Sequence, residues 1–424
     1  MRISFILFFF LTGCSSARIV KEIKETENQL HEHVGFYLYD IATKKVKVDY
    51  NGAKYFVPAS NTKIFTLYAS LKLLGDSISS LKYITRGDSL IFQGLGDPSF
   101  LYKNVFDNGR TFNFLKQYPG KLFFLSSNFQ TERLGPGWAW DDYNEDYSAE
   151  RSALPLYGNL ISVRRHVEEV MTFQPALFEA DFLKSDEIHP REEIIRDINS
   201  NRLTYFKGKR RSREWTIPFR TSDSLTAALL SDTLHKEVKR IYSTKLDSAK
   251  ILKSIPIDSL YSVVMKVSDN FIAEQLLLQC AAVVSDTLKP EIAIRYATKN
   301  LLSDLLDKPQ WIDGSGLSRY NLFTPRSIVS LWNEIYEIVP QERLFKILAV
   351  GGEKGSLKNY YKSEVPYVFG KTGFLGGVYS LSGFLITKKG KIFVFSFMNN
   401  NYTSPSSDVR KRMEKIINRI REKN

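Results

Sequence analysis

The sequence predicts a mixed α/β (α+β) fold in which a mostly β segment interrupts an α/β body. Between residues 34 and 75, two strand patterns precede a helical run of apolar residues. From 76 to 219, short strand patterns alternate with Gly, Pro and Asn breaks. Helical patterns dominate the first part of 220–424, and strands return near its end. This order predicts helical and α/β parts with an inserted β-rich segment between them.

The first helical run carries a serine and a lysine three residues apart. Ser60 and Lys63 follow Pro58-Ala59, which ends an extended segment, and apolar residues then recur at helical spacing. We therefore expect Ser60 in the first turn of a largely buried helix, with Lys63 one turn further on the same face. Free backbone N–H groups at a helix N-terminus suit a developing oxyanion.

Two further polar strings follow. Ser268-Asp269-Asn270 separates two helical runs, and Lys371-Thr372-Gly373 lies on or beside a strand that leads into a hairpin. Each string alone is weak evidence for a catalytic role. Ser60, for example, could be an ordinary helix cap. Ser79 to Lys82 and Ser126 to Asn128 also repeat two of the spacings, in stretches that predict a polar loop and a turn. All three strings in one chain favour a shared chemical role.

The first and third strings together can activate a nucleophile. A serine hydroxyl attacks only when a base takes its proton, and a lysine is that base only when neutral. Low exposure and a second cation lower the pKa of a lysine, and Lys371 could supply that cation for Lys63. Backbone N–H groups of Ser60 and Phe374 are the candidate oxyanion donors.

The remaining motif residues can handle the substrate. The Ser268 hydroxyl can relay a proton toward a leaving amine, and Asn270 can hold a substrate amide. Thr372, next to Gly373, can bind a substrate carboxylate. The five histidines form no metal-ligand spacing, so no metal and no cofactor are expected.

This set resembles the class C low-molecular-mass penicillin-binding proteins, the D-alanyl-D-alanine carboxypeptidase/endopeptidases. The resemblance extends to Gly94 to Pro98, Gly135 to Asp142 and Asp313 to Arg319. It implies a serine β-lactamase/transpeptidase-like fold, with a mostly β domain inserted between the S-x-x-K and S-x-N motifs. It also implies an acyl-enzyme reaction on peptidoglycan peptides, and β-lactams as covalent inhibitors.

The resemblance further implies a pocket for the diaminopimelate side chain of the stem peptide. The matching residues are Asp142, Tyr147 and Arg319. One anion and one cation suit a zwitterionic side-chain end. Asp142 could instead cap a turn and Arg319 could brace a loop. Some relatives carry a glutamine where this chain has Gly376.

The N-terminus predicts export and lipid anchoring. Residues 1–13 read as a lipoprotein signal peptide, because a charged start precedes a short apolar run and Leu11 to Cys14 resembles a lipobox. Lipidation of Cys14 would anchor the chain in a bacterial envelope, facing the periplasm, and on the outer membrane if the host has one. Residues 14–33 are then expected to form a polar tether, and Cys280 to be a buried helical thiol.

The net charge of +13 at pH 7 does not by itself identify the binding partners of the chain. Nucleic acid is excluded for an exported chain. The basic run from Lys207 to Arg213 is either a solvated hairpin tip or a surface attracted to acidic peptidoglycan or anionic headgroups. The run from Arg410 to Lys423 places apolar residues on one helical face, so we expect it to pack on the sheet. The oligomeric state is not determined by the sequence.

Two functions from different classes fit the sequence. The first is a serine D,D-peptidase that acts on peptidoglycan stem peptides. The second is a non-catalytic lipoprotein that binds peptidoglycan or senses β-lactams with the same fold. All three motifs are intact, whereas a binder without turnover is expected to lose at least one, so the sequence favours the enzyme.

Overall fold

A computed structural model describes residues 10–105, 108–166, 170–210 and 213–424, and the side chains of 10–15 and 210 lie outside the described part. The predicted signal peptide therefore lies largely outside the described residues, and so does the side chain of Cys14. The chain divides into two compact units. Unit 1 comprises Met1–Tyr68, Val264–Ser268 and Thr298–Asn424, and unit 2 comprises Ala69–Val263 and Asp269–Ala297. The domain boundaries expected from the sequence stay a prediction.

Groups of helices and groups of strands alternate along the chain. The helices are α1 (Phe10–Leu30), α2 (Lys63–Leu73), α3 (Arg110–Gln117), α4 (Asp223–Leu234), α5 (Ile257–Lys266), α6 (Asn270–Ser285), α7 (Pro290–Asn300), α8 (Pro325–Ile338), α9 (Gln341–Ile347) and α10 (Ser406–Lys423). The strands are β1 (His33–Asp40), β2 (Lys45–Tyr50), β3 (Ser77–Arg86), β4 (Ser89–Gly94), β5 (Lys121–Leu125), β6 (Leu160–Arg165), β7 (Met171–Gln174), β8 (Phe182–Arg191), β9 (Glu193–Arg196), β10 (Leu203–Arg210), β11 (Glu214–Pro218), β12 (Val238–Ile241), β13 (Lys250–Pro256), β14 (Ala349–Val350), β15 (Val368–Leu375), β16 (Val378–Ile386) and β17 (Ile392–Asn400).

Unit 1 is built on an antiparallel sheet in the order β14-β15-β16-β17-β1-β2. Successive side chains of a strand point to opposite faces, so the sheet offers two surfaces. On one face, Phe36 and Phe395 belong to an apolar cluster with residues of α1 and α10. On the other face, Phe384 packs on Trp332 of α8, with ring centroids 5.5 Å apart. Helices therefore cover both faces.

The helix α10 packs as the sequence predicted. Its apolar residues recur every three or four positions and are completely buried in the cluster on the sheet. They are Val409, Met413, Ile416, Ile417 and Ile420.

Most of the segment 14–33, which the sequence predicted to be a polar tether, is helical. Residues up to Leu30 form the helix α1, and His33 already begins β1. Ile19 and Ile23, four residues apart, are both buried in the cluster of unit 1. Two apolar side chains were enough to dock an otherwise polar segment, because α10 and the sheet provide an apolar surface for them. Within the described residues, no helix is long and apolar enough to cross a membrane.

Unit 2 contains the expected β-rich insert. It holds a five-stranded sheet, β12-β5-β4-β3-β13, and two three-stranded sheets, β8-β10-β9 and β11-β6-β7. An apolar cluster joins residues of these sheets with Leu229, Leu230 and Leu234 of α4. Cys280 is fully buried in α6, as predicted, and burial raises the pKa of its thiol to about 12.

Two local predictions in unit 2 are corrected. Ser79 lies in β3 and not in a loop. Among the described residues, the basic run does not form a β10–β11 hairpin, because Lys207 to Arg210 lie in β10, which pairs with β8 and β9, while β11 pairs with β6. Arg211 and Ser212 lie outside the described residues. In both places, pairing with strands distant in sequence decided a structure that the polar local composition could not reveal.

Candidate active site

The segment around Ser60 enters its helix through a strained turn. Ala59 has φ +47°, which L-residues rarely adopt, and begins a 3₁₀ turn over Ala59–Thr62 that leads into α2. The turn is supported by the Thr62 hydroxyl, which donates to the carbonyl oxygen of Ala59 at 2.9 Å. Gly316 is packed so closely that an added Cβ would lie 2.0 Å from the same oxygen. This packing holds the half-buried Ser60 in place.

Lys63 points at Ser60 from inside the protein. Its side chain is completely buried, and Nζ donates to Ser60 Oγ at 2.8 Å and to the carbonyl oxygen of Ser315 at 2.6 Å. Ser60 lies in the 3₁₀ turn that precedes α2, whereas the sequence predicted it in the first turn of the helix itself. The spacing of three residues still brings Lys63 Nζ to Ser60 Oγ. The Ser315 contact was not predicted, because it joins residues that are 252 positions apart.

A loop centred on Asp313 presents the Ser315 carbonyl. The buried Asp313 carboxylate accepts hydrogen bonds from the backbone N–H groups of Gly316 at 2.8 Å and Ser318 at 2.7 Å. It also accepts one from the Asn321 amide at 2.8 Å. Such bonds fix the loop without any regular secondary structure. The Asp313-Gly314-Ser315-Gly316 string is the signal that marks this loop in the sequence.

Ser268 and Lys371 form a second serine–lysine pair. The Lys371 ammonium is completely buried, and it donates to Ser268 Oγ and to the carbonyl oxygen of Thr372, at 2.8 and 2.7 Å. Ser268 has φ +70°, in the bend between α5 and α6. Burial, and then the positive charge of Lys63, hold the pKa of Lys371 well below its ordinary value. The two buried lysines therefore interact electrostatically, and each makes a positive charge on the other less favourable.

Asn61 links the nucleophile segment to β15 and β16. Its amide donates to the carbonyl oxygen of Lys371 at 3.1 Å and accepts from the Ser382 hydroxyl at 2.5 Å. Ser382 accepts in turn from the indole N–H of Trp332 at 2.9 Å. Sequence reasoning missed this network, although Asn61 lies inside the first motif. Its partners are distant in sequence, and of the two only Lys371 belongs to a motif.

The third motif brings β15 against the nucleophile. A Cβ added at Gly373 would lie 2.6 Å from the carbonyl oxygen of Pro58 and 3.0 Å from the amide nitrogen of Ser60, so only glycine fits. The Thr372 hydroxyl donates to Ser356 Oγ at 2.6 Å, and Phe374 is exposed. Among the described strands, β14 pairs with β15 only at Phe369 and Gly370. The β14-side edge of Lys371 to Leu375 therefore has no described strand beside it.

The other candidate residues lie in both units. In unit 2, Asn270 begins α6 and its amide donates to the carbonyl oxygen of Tyr147 at 3.0 Å. The Tyr147 hydroxyl donates to Asp142 Oδ1 at 2.8 Å, and burial and this bond raise the pKa of Tyr147. In unit 1, the exposed Arg319 donates to the carbonyl oxygen of Gly376 at 3.3 Å. A single pocket formed by Asp142, Tyr147 and Arg319 stays a prediction.

The competing serine strings are structural. Ser79 Oγ accepts from Lys253 Nζ at 2.7 Å, while Lys82 pairs with Asp286 at 2.5 Å. Two residues three apart on a strand face opposite sides, so Ser79 and Lys82 cannot act together. Asn128 is buried in the turn after β5, and its amide donates to the carbonyl oxygen of Gly94 at 2.9 Å.

The fold and the paired serines and lysines define a class, the penicillin-binding serine peptidases. The chain belongs to the D-Ala-D-Ala carboxypeptidase 3 (S13) family, whose profile matches residues 17–422. The predicted family, the α/β fold with its β-rich insert, and the serine-type carboxypeptidase class are thereby confirmed. The family's members are cell-envelope enzymes of peptidoglycan.

Relatives share the architecture over nearly the whole chain. The D-alanyl-D-alanine carboxypeptidase DacB of Haemophilus influenzae is 25% identical over 419 residues, which cover 88% of this chain and 86% of the relative. The crystal structure of penicillin binding protein 4 (dacB) from the same organism matches with a TM-score of 0.77, at 21% identity, and covers 94% of this chain and 99% of that one. A predatory peptidoglycan endopeptidase from Bdellovibrio bacteriovorus matches with a TM-score of 0.52, at 16% identity and 92% coverage of both chains.

Proposed function

We propose that Ser60 is the acylated nucleophile of a penicillin-sensitive D,D-peptidase that acts on peptidoglycan stem peptides. The observation that carries this assignment is the 2.8 Å hydrogen bond between Lys63 Nζ and Ser60 Oγ in a buried setting. The enzyme removes the terminal D-Ala of a stem peptide, cleaves the D-Ala–diaminopimelate bond of a crosslink, or does both.

The reaction runs through an ester. Neutral Lys63 takes the Ser60 proton while Oγ bonds to the carbonyl carbon of the penultimate D-Ala. The backbone N–H groups of Ser60 and Phe374 stabilise the oxyanion, and one such donor is worth about 10²–10³ in rate. The peptide C–N bond then breaks as the amine takes a proton through Ser268. Water hydrolyses the ester and restores the Ser60 hydroxyl.

The second lysine prepares this proton transfer. Lys371 is hydrogen-bonded to Ser268 and interacts with the charge of Lys63, so a cation on one lysine disfavours a cation on the other. Loss of a proton from one lysine is thus easier in this pair than in an isolated lysine, and the reaction needs no histidine. Thr372 binds the substrate carboxylate, Gly373 allows the close approach, and Asn270 holds the substrate amide.

Side-chain recognition falls to a charged pair. Asp142, held by the Tyr147 hydroxyl, binds the ammonium of diaminopimelate, and Arg319 binds its carboxylate. The alternative roles, a turn cap and a loop brace, predict no change in substrate preference when these charges are removed.

Penicillin labelling tests the nucleophile. Purified protein is incubated with a fluorescent penicillin and separated by denaturing electrophoresis. Ser60→Ala should lose the label and the release of D-Ala, whereas Ser79→Ala, the matched control, should keep both. A labelled Ser60→Ala protein would refute the assignment. Digestion of defined muropeptides, with and without crosslinks, then separates carboxypeptidase from endopeptidase activity.

We also propose that the mature protein is a lipoprotein anchored through Cys14 and exposed to the periplasm. The support is the lipobox-like Leu11 to Cys14, and Ser15 in the next position suits outer-membrane sorting. Wild-type cells should incorporate a radiolabelled fatty acid into the protein, and Cys14→Ser should not, while it retains penicillin labelling. Wild-type protein that is soluble, with the residues before Cys14 still attached, would overturn the anchor and leave the enzymatic assignment intact.

A further inference from the structure

A basic groove runs between α1 and α10 in unit 1. It encloses about 680 Å³, and its lining contains six basic and two acidic side chains, with Thr26 and Gln29. The basic residues are Arg18, Lys21, Lys411, Arg412, Lys415 and Arg419. Among the described residues, every side chain that lines the groove is charged or polar and most are basic, so the groove suits an anionic partner.

Several of these basic side chains form ion pairs with acidic residues of unit 1, and others do not. Glu22 accepts from Arg419 and lies 3.8 Å from Lys415, while Arg412 pairs with the buried Glu32. Arg18 and Lys411 are exposed and form no ion pair with the described residues. The internal pairs hold α1 and α10 together, and the remaining charges face solvent.

The groove lies on the side of the sheet away from Ser60. The helices α1 and α10 cover the face that carries Phe36 and Phe395. The opposite face carries Ser382, which is hydrogen-bonded to Asn61 beside the nucleophile. A surface bound at the groove would therefore leave the face carrying Ser60 free.

The groove also lies close to the proposed lipid attachment. The helix α1 is continuous from Phe10 to Leu30, so Arg18 follows Cys14 by about 6 Å along the helix axis. Burial of Ile19 and Ile23 docks α1 in the apolar cluster of unit 1 a few residues after Cys14. A lipid chain on Cys14 would thus hold the groove at the level of the phospholipid headgroups.

We propose that the groove between α1 and α10 docks unit 1 on anionic phospholipid headgroups, with the catalytic face of its sheet turned away from the bilayer. The proposal rests on the lipid anchor proposed above for its biological setting, although the groove can be tested without the lipid. Basic side chains near a membrane surface contribute about 1 kcal/mol each to binding of anionic lipid. The lipid on Cys14 would supply stable anchoring by itself, and the groove would set the orientation of unit 1 on the membrane surface.

Vesicle sedimentation of the full chain carrying Cys14→Ser tests the groove. This protein should bind vesicles of phosphatidylcholine with phosphatidylglycerol more tightly than vesicles of phosphatidylcholine alone, and added salt should remove the difference. Any contribution of the apolar N-terminus is common to both vesicles. Replacing Arg18 and Lys411 with glutamine should weaken binding to the anionic vesicles about 30-fold, the factor for two such charges, and should leave the internal ion pairs of the groove intact.

The matched control removes two lysines from the basic run of unit 2. Lys207 and Lys209 are exposed, and Lys207→Gln with Lys209→Gln lowers the net charge equally. This control should change binding less than about threefold if the groove is the contact. Equal losses in both variants, or unchanged binding of the Arg18/Lys411 variant, would overturn the proposal. Penicillin labelling of every variant reports on the enzymatic function separately, and fatty-acid incorporation into the wild type reports on the anchor.

Discussion

Replacing Gly316 with alanine should damage catalysis through the backbone beside Ser60. Gly316 has φ +85°, which costs an L-residue about 1–2 kcal/mol. The new Cβ would also lie 2.0 Å from the Ala59 carbonyl oxygen, whereas real Cβ atoms stay beyond 3.0 Å. Relief of this contact requires about 1 Å of movement in the turn that precedes Ser60. A misplacement of 1 Å costs a reaction about 10²-fold.

The assay is the second-order rate constant of acylation by a fluorescent penicillin, with the thermal midpoint measured in parallel. Gly390→Ala is the matched control, because Gly390 has φ +75° but no atom within 4 Å of its added Cβ. We expect about 100-fold slower acylation for Gly316→Ala and unchanged acylation for Gly390→Ala, with both proteins folded at the assay temperature. Acylation of Gly316→Ala within threefold of wild type would show that the turn does not position Ser60.

Three further predictions concern charge. Lys63→Ala should slow acylation by about 10²–10⁴-fold because the base is lost, and rapid labelling of this variant would exclude Lys63 as the base. The free energy of unfolding should rise with pH between the lowered pKa of folded Lys371 and the value of 10.5 for the unfolded chain, because the unfolded state there binds more protons. This slope, up to about 1.4 kcal/mol per pH unit in urea titrations, should disappear in Lys371→Met, and an unchanged slope would contradict the burial argument. Asp142→Asn should slow cleavage of diaminopimelate peptides about tenfold and leave penicillin labelling unchanged, whereas equal cleavage would favour the turn-cap role.

The local parts of the active site could be predicted from the sequence because they depend on neighbouring residues. A helix places residues i and i+3 on one face, so Ser60 and Lys63 meet wherever that helix folds. The apolar face of α10 and the buried thiol of Cys280 follow from periodicity in the same way.

Tertiary structure decided the contacts between residues that are distant in the chain. No periodic pattern in the sequence predicts the 2.8 Å hydrogen bond between Ser268 and Lys371. The same holds for the hydrogen bonds that join Asn61 to Lys371 and Ser382. Polar stretches were the least predictable. Ser79 lies in β3 because that strand pairs with β13. The helix α1 forms where the sequence predicted a tether because the sheet and α10 provide an apolar surface for it. Local composition describes only one side of such a contact, whereas the free energy of burial depends on the surface that the rest of the fold provides.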